Sequence, residues 1–149
     1  MRVVIYSCRG YFFFNDMKKY LLILLCFISI SGYAQVQWYR TTQYAEATII
    51  NSRYYWGDWE SSNMRLCIDI GNDQIIVYSP RTQIYQVYGV YNNGQPYVDD
   101  SGGTNIKFYV IDQDYDRGSI RLRIERNGNS QIYIDFSNVA WVYNVVRTQ

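Results

Sequence analysis

Two runs near the C-terminus decide the fold: Ser119-Ile120-Arg121-Leu122-Arg123-Ile124-Glu125-Arg126 and Ser130-Gln131-Ile132-Tyr133-Ile134-Asp135-Phe136, separated by Asn127-Gly128-Asn129. Apolar and polar residues alternate in both with a period of two, the pattern of a strand with one buried face. Ile120, Leu122 and Ile124 share a face of the first run, and Ile132, Ile134 and Phe136 share a face of the second. The break between them is too short for a crossover, so the runs pair as an antiparallel hairpin. A two-residue turn at Asn127-Gly128 would set Ile124 opposite Gln131, apolar against polar. A three-residue loop sets Ile124 opposite Ile132, Leu122 opposite Ile134 and Ile120 opposite Phe136. Register follows the buried face, so the longer loop is expected. It carries Arg121 opposite Asp135 and Arg123 opposite Tyr133 on the outer face.

The same punctuation runs through residues 35–149. Strands are expected near 36–50, 52–56, 64–70, 74–79, 82–91, 95–98, 104–112, 119–126, 130–136 and 139–147, with breaks at Gly57-Asp58, Gly71-Asn72-Asp73, Ser79-Pro80-Arg81, Asn93-Gly94, Asp99 to Gly103 and Gln113 to Gly118. Most breaks are tight, so successive strands should be antiparallel neighbours. Some strands are apolar on both faces: Ile84, Tyr88 and Val90 against Tyr85, Val87 and Tyr91, and Trp141, Tyr143 and Val145 against Val142 and Val146. Two-sided strands in a chain this short point to an all-β, antiparallel up-and-down meander closed into a small barrel of calycin or lipocalin type. A two-sheet sandwich is the alternative.

Composition agrees. Residues 35–149 hold 13 Ile, 10 Val, 13 Tyr and all four Trp against two Leu and three Ala. That balance suits a pleated surface and disfavours helices. The 149-residue chain has no histidine, which removes His-based acid–base and nucleophile systems and most zinc sites. With 14 Lys+Arg against 13 Asp+Glu, nothing suggests a nucleic-acid partner.

The N-terminal part reads as an export signal. Lys18-Lys19 precedes the apolar run Tyr20 to Ile28, and small residues Gly32 and Ala34 mark a cleavage site after Ala34. The run is too short to span a bilayer, so no membrane span is expected once it is removed. Residues 17–34 are then the signal peptide, 35–149 a single secreted or periplasmic all-β domain, and 1–16 an over-extended start ahead of Met17.

Several constellations carry candidate chemistry. Trp38, Tyr54, Trp56, Trp59, Tyr85, Tyr88 and Trp141 are candidate ligand-binding residues, able to stack on sugar rings or line an apolar pocket, with core or barrel-end packing as the competing reading. Asp112, Asp114 and Asp116 are spaced as in calcium loops, but Arg117 stands where the loop needs glycine and Arg123 where it needs a bidentate glutamate, so a turn between strands is favoured over a calcium site. Asp58, Glu60, Asp69, Asp99, Asp100, Asp112 and Glu125 offer carboxylates for a hydrolase, yet nothing selects two of them, and no catalytic residue or cofactor is assigned. Cys67 is the single cysteine after processing and alternates with Leu66 and Ile68, which predicts a half-buried, inert thiol.

Two resemblances add to this. Gly57-Asp58-Trp59 resembles the short Gly-x-Trp element of lipocalins, in which the Trp closes one barrel end. Gln131 to Phe136 followed by Trp141-Val142-Tyr143-Asn144, with Gly118 and Ile120-Arg121-Leu122 before them, resembles the ending of small exported bacterial all-β proteins, some carried by phages, of unassigned function. The expected function is a secreted, non-enzymatic binding or interaction protein taking a small apolar ligand, a glycan or a protein partner. The alternative is a structural component of an exported or phage-related assembly, and a carboxylate-based hydrolase comes last.

Overall fold

The computed structural model describes residues 36–148. The expected signal peptide and alternative start lie outside the described residues. Eleven strands follow one another: β1 (Val36–Ile50), β2 (Arg53–Trp56), β3 (Glu60–Ser61), β4 (Arg65–Asp69), β5 (Gln74–Tyr78), β6 (Gln83–Val90), β7 (Tyr97–Val98), β8 (Thr104–Ile111), β9 (Arg117–Ile124), β10 (Ser130–Asp135) and β11 (Val139–Arg147). Eight of them close an antiparallel barrel in the order β1-β4-β5-β6-β8-β9-β10-β11, sealed by β11 on β1. This is the small barrel read from the two-sided strands.

The interior is filled rather than hollow. Leu66, Ile75, Val77, Val110, Ile120, Ile132 and Ile134 are fully buried, with Tyr39, Tyr85, Phe108 and Tyr143 completing the core. Side chains of this size fill an eight-strand barrel.

The β9–β10 hairpin keeps the expected faces but not the expected partners. Leu122 lies opposite Ile132 and Ile120 opposite Ile134, while Arg121 faces Tyr133 and Arg123 faces Gln131. The loop is Arg126-Asn127-Gly128, closed by the Gly128 amide on the Glu125 carbonyl and the Glu125 amide on the Asn129 carbonyl. Gly128 takes φ 87°. In a three-residue hairpin loop the left-handed position comes last, which moves the loop one residue toward the N-terminus and the pairing by two. A shift of two preserves which face is buried. It also carries Ile124 past the end of the core, where it is 43% exposed opposite Ser130.

β1 is longer than the barrel needs. Its first half pairs with β4 from Val36 to Arg40. The register with β11 then slips between Thr41 and Gln43, a bulge that turns Ala45 and Ala47 outward. Thr41 is buried and ties the incoming chain there: its Oγ1 accepts from the Met64 amide at 2.7 Å and lies 2.6 Å from Ser62 Oγ. Beyond this point the free edge of β1 is taken by β2 and β3, which form a flap. The strand at 52–56 was expected, but β3 and the folding of both onto β1 as a flap were not.

Candidate functional site

The flap positions Tyr54, Trp56 and Trp59. A tight turn with Asn51 and Ser52 at φ 51° and 62° sends β2 back along β1, so Trp56 lies opposite Ala47 and Tyr54 opposite Ile49. The Gly57 amide donates to the Glu46 carbonyl at 2.8 Å, and a Cβ at Gly57 would sit 3.4 Å from that oxygen, so the chain hugs β1 as it turns. Tyr44 donates its hydroxyl to Glu60 at 2.7 Å and anchors the far side of the flap.

Between flap and wall is an open cleft of about 330 Å³ lined by Ala45, Trp56, Gly57, Trp59, Tyr133 and Val142. Its floor is made of small or buried groups, with Ala45 at 2% and Val142 at 3% exposure, whereas Trp56 and Trp59 remain 43% and 46% exposed. Tyr54 stacks on Trp56 with ring centroids 5.9 Å apart and planes within 10°. These near-parallel rings are left half in water, unlike rings packed into the core.

The neighbouring wall supplies polar groups in register. One cross-strand row reads Lys107, Arg121, Tyr133, Val142, Ala45 from β8 to β1. The Arg121 guanidinium lies 4.3 Å from the Tyr133 ring centroid. Burial pushes the Asp135 carboxyl above the usual carboxylate range, opposed by Arg121, Lys107 and the Tyr54 hydroxyl. The next row is Asn105, Arg123, Gln131, Asn144, Gln43. Its amides are linked: Gln131 Nε2 donates to Asn144 Oδ1 at 3.0 Å, Asn144 Nδ2 to Gln43 Oε1 at 3.2 Å, and Tyr133 hydroxyl to Gln131 Oε1 at 2.8 Å.

The seven candidate aromatic residues do not converge. Trp56 and Trp59 meet at this cleft, with Tyr54 stacked behind Trp56. Trp59 therefore does not close a barrel end, as the lipocalin resemblance implied; the Gly57 hydrogen bond holds it on the outer wall. Trp38 lies on another part of the wall, stacked on Tyr78 at 5.8 Å beneath Arg65 at 4.6 Å. Tyr88 is exposed beside Tyr109 and Arg117.

Tyr85 and Trp141 belong to a second cavity, of about 440 Å³, at the barrel mouth, lined also by Arg81, Phe136 and the three aspartates. Tyr85 is 3% exposed, its hydroxyl on Gln83 and its pKa raised by burial. Trp141 Nε1 donates to Glu46 at 3.1 Å. Asp112 Oδ1 accepts the amides of Asp114 at 2.9 Å and Asp116 at 2.8 Å, the geometry of a side-chain-closed turn. No group of three or more carboxylate, Cys or His ligands suited to a metal occurs among the described residues.

Asp99 and Asp69 hold loops. Asp99 accepts from Ser101, Gly103, Asn105 and Arg123, and these bonds keep its carboxyl well below the usual range. Arg123 also reaches Glu125 at 2.8 Å. Asp69 accepts from Asn72. Cys67 is buried rather than half-buried as expected, 4% exposed on the outer side, and burial raises its thiol pKa. Comparison with protein-family models, curated proteins and solved structures found no match. No helix among the described residues is long and apolar enough to cross a membrane.

Proposed function

We propose that this is an exported, non-enzymatic binding protein that takes its ligand on the outer wall of the barrel, in the cleft beneath the flap. The observation that carries the reading is the pair Trp56 and Trp59, both nearly half-exposed, flanking a cleft floored by Ala45 and Val142. The packed interior leaves the wall and the mouth as binding surfaces, and the wall groups three exposed aromatic residues, Tyr54, Trp56 and Trp59. The carboxylates held by Arg123, Asn72 and backbone amides serve loop structure, which favours binding over hydrolysis. The secreted location rests on the basic and apolar residues 18–28 and the small-residue junction at Ala34.

Two measurements test this. Mass spectrometry of the exported product should find Gln35 at its start, free or as pyroglutamate; a mature species retaining residues 20–34 refutes export by cleavage. Titration of the purified chain with indole, a flat aromatic probe, should shift the ring resonances of Trp56 and Trp59 and leave Trp38 unmoved. Shifts confined to Trp141 would move the site to the mouth and refute the cleft.

A further inference from the structure

We infer that the ligand of this cleft is a carbohydrate chain, lying along the outer wall from the flap toward the β9–β10 loop; this rests on the cleft being the binding site. A pyranose ring has an apolar C–H face and a polar rim of hydroxyls. It therefore needs an exposed aromatic plane with amide, carboxyl and guanidinium groups at the edge, rather than a deep apolar pocket. Trp56 and Trp59 supply the planes, and Tyr54 braces Trp56 from the side by its parallel stack. Asp135 and Arg121 lie on the same wall beside these rings, and the Tyr54 hydroxyl faces the Asp135 carboxyl.

The argument for a chain rather than a single ring is the direction in which the polar groups continue. Two residues along the strands from Ala45, Tyr133 and Val142 come Gln43, Gln131 and Asn144, a ladder of side-chain amides that can each donate and accept. Past the ladder opens a depression of about 670 Å³ bounded by Thr42, Glu125, Asn129, Gln131, Asn144 and Arg147, with the exposed Val146 among them. Val142 to Arg147 covers about 17 Å at strand rise, room for several linked rings. Aromatic planes at one end and a row of amides beside them suit a polyhydroxylated polymer. A protein hot spot would be expected to keep a continuous apolar centre, whereas here the amides of Gln43, Gln131 and Asn144 separate Val142 from Val146.

The test uses the purified full chain and hexasaccharides of β-1,4-linked glucose, β-1,4-linked N-acetylglucosamine, α-1,4-linked glucose and α-1,4-linked galacturonate, followed by calorimetry and by the Trp ring resonances. At least one series should bind, with affinity rising from monomer to hexamer. Trp59→Ala should weaken it by about tenfold or more with the unfolding midpoint unchanged. Gln131→Ala should weaken the hexamer more than the monomer. Tyr115→Ala, on the 87% exposed mouth loop, should leave binding as it was. Failure of every saccharide while indole still shifts Trp56 and Trp59 overturns the carbohydrate assignment and leaves the cleft as the binding site. Failure of saccharides and indole together overturns both. Saccharide binding that survives Trp59→Ala intact places the site elsewhere and also refutes the inference.

Discussion

Replacing Ile120 by Ala and, separately, Ile124 by Ala separates the observed pairing of β9 with β10 from the one expected from hydrophobic matching. Ile120 has no exposed surface and lies between Ile134 on β10 and Phe108 on β8. Truncation removes roughly three methylene equivalents at about 0.8 kcal/mol each, and the cavity left between two fixed strands brings the cost to about 2–5 kcal/mol. Ile124 is 43% exposed and sits opposite Ser130 and Thr104 at the barrel end. Much of its surface is already wet and its site can collapse into solvent, so its loss should cost about 1 kcal/mol or less. Urea unfolding followed by Trp fluorescence measures both, with the slope unchanged if only the native state has been weakened. Against a total stability of about 5–15 kcal/mol, the first variant should shift the midpoint severely and the second slightly. In the alternative register Ile124 faces Ile132 and is covered on that side. Equal losses for the two variants would therefore refute the observed pairing.

Four further outcomes concern other positions in the barrel. Gly118→Ala should destabilise by about 1–3 kcal/mol, because a Cβ there would lie 2.6 Å from the Asp135 carbonyl and 2.8 Å from the Phe136 ring; an unchanged thermal midpoint would contradict this close approach. Asp99 has a lowered folded-state pKa caused first by Arg123, so its contribution is present above the unfolded carboxylate value of about 4 and fades as pH falls; Asp99→Asn should be less stable than the parent near pH 7, with the gap closing in acid. Asp135, raised by burial, has the opposite sign, and Asp135→Asn should gain on the parent as pH rises through that raised value. Cys67 should resist a thiol reagent in native buffer and react at once in denaturant, since it is buried and its thiolate is disfavoured.

The sequence periodicity located ten of the eleven strands and assigned Ile120, Leu122, Ile132 and Ile134 to the inner face, because a period-two pattern reports burial directly. It could not place the loop. Asn127-Gly128 looks like the centre of a turn, and only the left-handed geometry of Gly128 shows that the loop ends there rather than beginning one residue later. Ile124 was misplaced for a related reason: alternation says which way a side chain points but not whether the barrel still covers it at that height. The same limit scattered the aromatic residues. Tyr85, Tyr88 and Trp38 occupy strands, yet which sector of a closed wall each one joins depends on pairing order and on the bulge at Thr41–Gln43, which alternation does not encode.

The cleft did leave a trace in the sequence, of a different kind. Residues 35–149 contain three alanines, Ala45, Ala47 and Ala140. All three are buried on the outward side of β1 and β11, where neighbouring wall positions carry Tyr133, Arg121 and Lys107. A β-rich chain that uses Ile, Val and Tyr almost everywhere has little reason to place small residues on an outer face unless something must lie flat against it. Part of that space is taken by the flap, which sets Trp56 opposite Ala47. The part above Ala45 stays open between Trp56, Trp59 and Tyr133. The Ala-x-Ala spacing at 45–47 together with Gly57 was therefore the signal for the groove, and the Trp pair that follows names what lines it. Ala45→Leu is the corresponding perturbation. It should fill the cleft and abolish the indole-induced shifts of Trp56 and Trp59 while leaving unfolding cooperative, and a variant that binds indole as the parent does would show that the floor at Ala45 is not part of the site.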